Sequence, residues 1–184
     1  MANERKLDFV ILGLLSHESL TGYEIKKRMD GTLSFFWGAS FGSIYPILNK
    51  LAKENKVTRQ ECKESGREKL VYTITEEGRE ELRKWLNVPV TRDELRFETL
   101  LKLFFGNEVG PEVTIGHLME FEKKTKEGMP FLKQSVEVLD KIKDQDETHL
   151  YYMLTAKFGV MVYETYLKWC EEAKQVLEER ENKK

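Results

Sequence analysis

The sequence predicts a mainly helical protein with one small β-hairpin, divided into two domains. Three observations predict this fold class. Apolar residues recur at helical spacing along most of the 184 residues, they alternate instead within residues 57–75, and beyond Pro89 the pattern is helical throughout. We therefore expect residues 1–90 to form three helices, the hairpin and a fourth helix, and residues 91–184 to form a second, helical domain.

The first two helices follow from spacing and capping signals. The first spans about Asp8 to His17, where Asp8 can cap the N-terminus and the apolar residues Phe9, Leu12 and Leu15 lie at three-residue steps. The second begins after Thr21, whose hydroxyl can cap it. Gly22 keeps the connection between the two helices short.

A third helix is predicted after the aromatic loop at residues 35–37, a loop that we expect to pack inside the protein or between its domains. Its apolar residues have the spacing i, i+3, i+4 and i+7: Ile44, Ile47, Leu48 and Leu51. Pro46 is tolerated only near the start of a helix, so Ser40 or Ser43 is the expected cap. Asn55 adopts the left-handed conformation readily and can end the helix.

An alternating pattern predicts the hairpin. Residues 57–63 and 70–75 are β-like runs on either side of a Ser-Gly turn at residues 65–66. Because a two-stranded ribbon is marginally stable by itself, it must lean on the helices and project its tip. Thr75 can then cap a fourth helix before Pro89, and this helix is expected to bury Leu82, Trp85 and Leu86.

Residues 91–184 contain three further helical patterns. Thr91 and Glu94 match a capping box for the first, and Gly110-Pro111 starts the second, which Pro130 should kink or break. The third spans about Glu147 to Glu181. Its apolar stripe advances by three or four residues: Leu150, Leu154, Phe158, Met161, Thr165, Trp169, Ala173 and Val176. So long a helix cannot cover its stripe within so small a domain, and we expect it to pair with a second copy of the chain.

Composition excludes several classes of protein. Lys plus Arg is 30 and Asp plus Glu is 32, a net charge of −2 that excludes a histone-like basic protein and limits any nucleic-acid surface to a local patch. No apolar run approaches the ~18–20 residues of a membrane span. The N-terminus lacks a signal-peptide pattern. We therefore expect a cytoplasmic protein that does not contact membranes.

Catalytic and metal-binding patterns are absent from the sequence. Cys62 and Cys170 are far apart, and the three histidines lack the spacing of metal ligands. The motifs GxSxG, GxxxxGK[ST] and GxGxxG do not occur. We expect no metal, no cofactor and no enzymatic activity, with Cys170 as a packed thiol. A Cys–His pair assembled by the fold is the alternative that spacing leaves open.

Three helices, a hairpin and a fourth helix, in this order, predict a winged helix-turn-helix. A DNA major groove about 12 Å wide admits one helix, and a β-ribbon can rest on the neighbouring phosphates. Residues 40–75 contain seven basic and four acidic residues. The candidate DNA contacts are Ser40, Ser43, Tyr45, Asn49, Lys50, Lys53, Arg67 and Lys69. The lysines on the third helix could also form an ordinary solvated face, and Arg67 could be a simple turn residue.

Three segments resemble a known family. Residues 40–51, SFGSIYPILNKL, resemble the recognition-helix signature of the PadR family of bacterial transcriptional regulators. Residues 12–25, with LGLL and TGYEI, and residues 72–78, YTITEEG, agree with it. Residues 95–98 and 166–169 look like the longer dimerisation domain of the larger family members. The resemblance covers about residues 8–178 and is more specific in the first 90.

The resemblance implies a homodimer that binds a palindromic operator and usually represses a neighbouring gene, often one for detoxification, phenolic-acid metabolism or drug efflux. By position, the DNA-facing places are occupied by Ser43, Tyr45, Asn49 and Lys50. Gly66-Arg67 occupy the wing tip. Asn55 stands where the family usually has glycine, and Glu68 precedes Lys69-Leu70 where a basic pair is common, so the wing should bind DNA more weakly than is typical.

A small aromatic effector is the further partner that the resemblance implies. Paired helical arms build a mostly apolar pocket with a few polar groups, and the candidate lining residues are Phe97, Tyr151, Tyr163, Tyr166 and Trp169. Aromatic residues on helices also serve packing alone. An alternative function is a ligand-binding or protein-interaction module whose winged helix no longer binds DNA, which the acidic side chains near the basic patch keep open. Repression and activation are both compatible with the sequence.

Overall fold

The structure is a computed structural model that describes residues 2–37, 44–64, 67–90 and 96–181. The chain divides into two compact units, Met1–Asp93 and Glu94–Lys184. The first contains α1 (Ala2–Leu15), β1 (Leu20–Thr21), α2 (Gly22–Arg28), a π-helical turn (Met29–Leu33), α3 (Ile44–Lys53), β2 (Val57–Glu64), β3 (Arg67–Ile74) and α4 (Glu76–Leu86). The second contains α5 (Glu98–Phe104), a 3-10 turn (Gly106–Glu108), α6 (Pro111–Ile142) and α7 (Glu147–Glu181). The predicted fold class, mainly helical with a small antiparallel sheet, is confirmed.

The first helix begins earlier than its spacing predicted. α1 starts at Ala2, and Asp8, expected as its N-cap, lies inside the helix and is only 8% exposed. Leu7 and Ile11 are both buried one turn apart, so the burial pattern extends to the N-terminal side of Asp8. The predicted start at Asp8 is therefore wrong, and this side chain faces other protein groups instead of capping a helix.

Local hydrogen bonds set the helix ends around the candidate site. Thr21 Oγ1 accepts the Glu24 N–H at 3.2 Å and the Thr21 N–H donates to the Glu24 carboxylate at 2.8 Å, which confirms the predicted cap as a full capping box. The bond from the Thr21 N–H lowers the pKa of the Glu24 carboxyl. Thr75 accepts the Gly78 N–H at 3.0 Å and caps α4 as predicted. Asn55 has φ of 57° and follows the end of α3 in the predicted left-handed conformation.

The first unit contains a three-stranded antiparallel sheet in the order β1-β3-β2. The hairpin pairs Val57 with Ile74 at its base and Glu64 with Arg67 near its tip. The two-residue strand β1 is not predicted by the sequence, because so short a segment has no period. The core of the unit draws on its helices and strands: Leu7, Ile11, Leu12, Leu15, Leu20, Ile25, Met29, Ile44, Leu48, Leu51, Val57, Tyr72, Ile74 and Leu82.

α4 buries less than its pattern predicted. Leu82 is in the core, but Trp85 is 38% exposed and Leu86 is 65% exposed, so the prediction for these two residues is wrong. The Trp85 ring stacks on Phe9 of α1 with centroids 4.6 Å apart and an interplanar angle of 6°. The indole therefore covers the outer side of α1 instead of entering the core.

α6 and α7 form an antiparallel helical hairpin. Glu122 of α6 pairs with Lys174 of α7 at 2.5 Å, and Lys133 of α6 pairs with Glu164 of α7 at 3.6 Å. Residues later in α6 therefore lie beside residues earlier in α7, so the two helices run in opposite directions. The part of the chain that the structure describes holds no helix with the length and apolar character that crossing a membrane requires.

Pro130 lies inside α6, which is 32 residues long and continues past the proline to Ile142. A break at this position, one of the two predicted outcomes, does not occur. Met129 and Leu132 on either side of the proline are buried, so packing holds the helix on both sides although the ring removes one backbone hydrogen bond. Pro111 stands in the first turn of α6, where the sequence predicted the helix to start.

α7 buries one face and leaves the predicted stripe exposed. The buried residues are Ala156, Gly159 and Cys170, and burial raises the pKa of the Cys170 thiol, which confirms the prediction of a packed thiol. Trp169 of the predicted stripe is half-buried, but five of its large apolar residues remain exposed: Leu150, Leu154, Phe158, Met161 and Val176. We call these five residues the α7 stripe. The predicted capping box at Thr91 and Glu94 lies outside the described residues.

Candidate nucleic-acid interface

α3 separates a buried face from an exposed polar one. The buried face consists of three fully covered residues: Ile44, Leu48 and Leu51. Tyr45, Asn49 and Lys53 are spaced by four residues, so they lie one above another along the helix, and all three are exposed. We call these three residues the polar strip. Its phenol, carboxamide and ammonium groups can stack, bond a base edge and neutralise a phosphate, respectively.

The start of α2 supports the first residue of the polar strip. A Cβ placed on Gly22 would lie 2.7 Å from a ring carbon of Tyr45, so the ring can lie this close only against a glycine. Tyr45 is nevertheless 45% exposed. Gly22, the first residue of α2, therefore determines how closely the Tyr45 ring approaches that helix.

Lys50 does not belong to the polar strip. Its Nζ lies 2.5 Å from Oδ2 of Asp8 on α1. The Lys50 side chain is 47% exposed, whereas that of Asp8 is 11% exposed. Successive helix residues are turned by about 100°, so Lys50 lies on the flank of α3 and Asn49 beside it lies in the strip. The ammonium group expected to neutralise a phosphate is paired with a carboxylate of the protein itself.

The wing carries basic residues on both of its strands. Lys69 is exposed on β3, and Arg67 is the first residue of that strand after the turn at residues 65–66, which lies outside the described residues. Arg59 on β2 is also exposed and lies opposite Tyr72 in the register. Burial raises the pKa of Tyr72, and the charge of Arg59 partly offsets this. Sequence reasoning did not single out Arg59, although its charge within the alternating run was a usable signal.

The structure thus assembles part of the predicted DNA-contact set. Tyr45, Asn49 and Lys53 lie in one line, and Lys69 is exposed on the wing. Lys50 is directed to Asp8 on α1. Of the remaining predicted contacts, Ser40 and Ser43 lie outside the described residues, and only the backbone of Arg67 is described.

Four of the five predicted effector residues meet in the second unit. Phe97 lies 5.3 Å from Tyr166 and 5.8 Å from Phe121, and Trp169 lies 6.3 Å from Phe121, between ring centroids. Tyr163 lies 6.1 Å from Tyr166. We call these five rings the aromatic cluster. Phe121 was not among the effector residues predicted from the sequence, although it lies on the predicted apolar face of α6. The rings contact one another directly, so within one chain they pack as a half-buried cluster.

Tyr151 is separate from the aromatic cluster. It precedes Tyr166 by 15 residues on the same helix, which corresponds to about 22 Å along the axis, and its side chain is 59% exposed. A surface depression on α6 is lined by Met119, Glu122, Lys123, Lys126 and Glu127, and none of the predicted effector residues lines it. Within the described ranges, no three His, Cys, Asp or Glu side chains converge in a way that could hold a metal ion.

Three helices, a two-stranded wing and a polar strip on the third helix define a winged helix-turn-helix protein. The model of the transcriptional regulator PadR-like family matches residues 11–84, and the model described as virulence activator alpha C-term matches residues 95–178. The chain is 38% identical over 104 residues to the negative transcriptional regulator PadR of Bacillus subtilis, an alignment that covers 55% of this chain and 57% of that protein. The alignments with curated relatives span about half of those proteins' length.

Solved structures resemble the whole chain. The crystal structure of smu.1604c from Streptococcus mutans is 32% identical, with a TM-score of 0.79, and the match covers 90% of this chain and 96% of that one. Bacillus subtilis PadR in complex with operator DNA is 28% identical, with a TM-score of 0.77 and coverage of 93% and 98%. The structure of the same protein in complex with p-coumaric acid is 26% identical, with a TM-score of 0.69, and the match covers 95% of this chain and 97% of that one. The chain belongs to the PadR-like family of transcriptional regulators.

Proposed function

We propose that this chain represses transcription as a homodimer that binds a two-fold DNA operator. The observation that carries this proposal is the polar strip, in which Tyr45, Asn49 and Lys53 are exposed on a helix whose opposite face is buried. One helix of this kind fits the major groove, and a dimer presents two of them about 34 Å apart to successive grooves. The relative from Bacillus subtilis is a negative regulator by name and has been solved with operator DNA, which supports the same role here.

In the proposed complex, the chemistry of each side chain determines which part of the DNA it contacts. Asn49 reads a base edge because its carboxamide can donate and accept at once. Tyr45 and Lys53 contact the sugar-phosphate backbone. Ser40 and Ser43, which precede Tyr45 in the sequence, are further candidate contacts of the same segment. On the wing, Arg67, Lys69 and also Arg59 bind phosphates of the flanking DNA.

The proposed dimer is supported by the α7 stripe. Leu154, Phe158 and Met161 are 52%, 61% and 60% exposed within the single chain, although they stand on one face of a 35-residue helix. Exposed apolar residues in such a line on a long helix typically mark an interface. A two-fold dimer would let the stripe of one chain cover that of the other.

The proposed effector is a small aromatic acid that binds the second unit and lowers operator affinity. Two observations support it: the complex of the Bacillus subtilis relative with p-coumaric acid, and the presence of Phe97, Tyr166 and Trp169 in one aromatic cluster. By linkage, the effector must bind less tightly when operator is bound. Calorimetry with p-coumaric acid, with and without operator, should show this loss, and equal affinities would contradict effector control.

DNA binding is tested by fluorescence anisotropy with DNA from upstream of the chain's own gene and with a scrambled duplex of the same composition. The wild type should bind the former more tightly. Asn49→Ala should lose about 1–3 kcal/mol of discrimination at one base position. Asn107→Ala, the same substitution at an exposed site of the second unit, is the matched control and should change nothing.

Repression is tested by a reporter gene placed behind the bound sequence, whose expression should fall when the chain is present. Equal binding of the upstream and scrambled duplexes would contradict the proposed function. It would favour a ligand-binding or protein-interaction module instead.

A further inference from the structure

We propose that Lys50 is a positioning residue, which the Asp8 carboxylate holds against α1 so that the polar strip of α3 has a fixed direction. This inference deepens the proposed function and rests on it. It assigns Lys50 a role different from the phosphate contact that its position in the recognition helix suggests. The pair joins two helices across 42 positions of sequence, with Nζ of Lys50 at 2.5 Å from Oδ2 of Asp8.

The surroundings of Asp8 make this pair a fixed connection. The Asp8 side chain is 11% exposed, and its neighbours Leu7 and Ile11 on α1 belong to the core of the first unit. A carboxylate that has lost most of its water is costly without a cationic partner. Lys50 supplies that partner. Among the described residues no other cation pairs with Asp8, so the ammonium group of Lys50 cannot turn to DNA without removing this ion pair from a largely buried carboxylate.

The geometry of α3 places Lys50 on the flank that meets α1. At about 100° per residue, Lys50 lies some 60° from Lys53 and 140° from Tyr45 around the helix axis, on the side of Ile47, which packs against the core. The pair therefore lies on the flank of α3, between the polar strip and the buried face. The pair limits rotation of the helix about its own axis, a movement that would carry Asn49 away from a base edge.

Lys53 is the matched control for Lys50. Both are lysines of the same helix, three residues apart, but Lys53 is exposed within the polar strip, and no acidic side chain of the described ranges forms an ion pair with it. A cation that contacts phosphate contributes about 0.9 to the slope of log affinity against log salt concentration. A cation that positions a helix contributes nothing to that slope.

The experiment measures binding of the full-length variants Lys50→Met and Lys53→Met to operator and to scrambled DNA at several salt concentrations. Lys50→Met should weaken operator binding about tenfold and leave both scrambled-DNA affinity and the salt slopes unchanged. Lys53→Met should weaken binding to both duplexes and reduce the slope by about 0.9. Lys50→Arg, which can keep the pair with Asp8, should restore operator affinity.

Asp8→Asn gives the sharpest contrast because the two roles predict opposite signs. If Asp8 holds Lys50 as a positioning residue, Asp8→Asn weakens operator binding. If Lys50 contacts phosphate, Asp8→Asn releases the ammonium group and tightens binding. A reduced salt slope in Lys50→Met, tighter binding by Asp8→Asn, or unchanged operator affinity in both variants would each overturn the inference.

Hydrogen exchange in the full chain separates this inference from the proposed function. Lys50→Met should speed exchange of the α1 and α3 backbone amides, and Lys53→Met should not. If the wild type fails to prefer the operator, the proposed function fails, while the exchange result still decides whether the pair holds α3. Unchanged exchange in Lys50→Met would overturn the positioning role whatever the DNA result.

Discussion

The two compact units differ in how completely they bury their apolar residues. Among the residues that the structure describes, the first unit holds 14 of the 19 buried apolar residues, gathered in one core. The second unit holds the other five, together with 16 of the 24 large apolar residues that remain exposed in the same described set. Short helices and a sheet surround a common centre in the first unit, whereas two long helices of the second touch along one face each.

This difference indicates that the first unit covers its apolar residues from within, whereas the described part of the second leaves a line of them exposed. In the first unit α1 contacts α3, α4 and β3, so core residues are covered from several sides. A helical hairpin buries only the facing stripes of its two members, so the α7 stripe remains exposed within the described part of the chain. A second copy is the proposed cover.

The largest expected effect comes from placing a charge in the α7 stripe. Phe158→Lys should convert the proposed dimer to monomers, because the new ammonium would lose its hydration at the proposed interface. Operator affinity should fall about 100-fold or more, since the two half-sites would no longer be bound together. Light scattering measures the mass, and anisotropy measures the affinity.

Glu171→Lys is the matched control for this substitution. It introduces the same side chain on α7 at an exposed residue that is turned about 140° away from Phe158. This variant should keep the mass and operator affinity of the wild type. A wild-type mass equal to one chain at micromolar concentration would contradict the dimer, and a dimeric Phe158→Lys would place the interface elsewhere.

A smaller effect tests how tightly the first unit is packed. A Cβ on Gly78 would lie 2.1 Å from the carbonyl oxygen of Lys56, which already accepts the Thr75 N–H at 3.1 Å. Backbone cannot move aside as a side chain can, so Gly78→Ala should lower the free energy of unfolding by about 3 kcal/mol.

Gly13→Ala is the comparison within the same unit, because a Cβ there meets no atom within 4 Å. This substitution in a helix interior should be neutral or stabilise by up to about 1 kcal/mol. Denaturant unfolding measures both variants, and equal effects would show that α4 can shift away from Lys56.

The smallest effect concerns the ion pairs that link α6 to α7. Hydrogen bonds from Lys126 and Lys174 hold the pKa of Glu122 below its usual 4.5. A carboxyl with a lowered pKa in the folded state stabilises it above the unfolded-state pKa, and the contribution is lost as the pH falls through the folded-state value. Glu122→Gln should therefore cost about 1 kcal/mol at neutral pH and nothing in strong acid.

Glu120→Gln, two residues before Glu122 on the same helix, serves as the control. Glu120 is exposed and pairs only with Lys124 among the described residues, at 3.4 Å within α6, so its substitution should have little effect at any pH. Unfolding curves between neutral and acidic pH distinguish the two, and a pH-independent cost for Glu122→Gln would rule out its carboxylate as the source.

The sequence predicted most elements and a part of the candidate site. Thr21, Thr75 and Asn55 were identified correctly because capping and left-handed conformations depend on a few neighbouring residues. The polar strip was also accessible, since the buried stripe of α3 determines its opposite face. The start of α1 was misplaced because Asp8 resembles an N-cap in the sequence. Only the burial of Leu7 in the folded unit shows that the helix begins earlier.

What the sequence determined by itself is therefore mostly local: the order of the helices and the hairpin, the caps of α2 and α4 and the two faces of α3, together with the motifs that indicate the family. The tertiary structure alone decided which partners meet across the chain. The pair of Asp8 with Lys50, the short strand β1, the stacking of Trp85 on Phe9 and the continuity of α6 through Pro130 all depend on contacts between segments far apart in sequence. Periodicity describes which side of a helix is apolar, but only packing determines what lies against it.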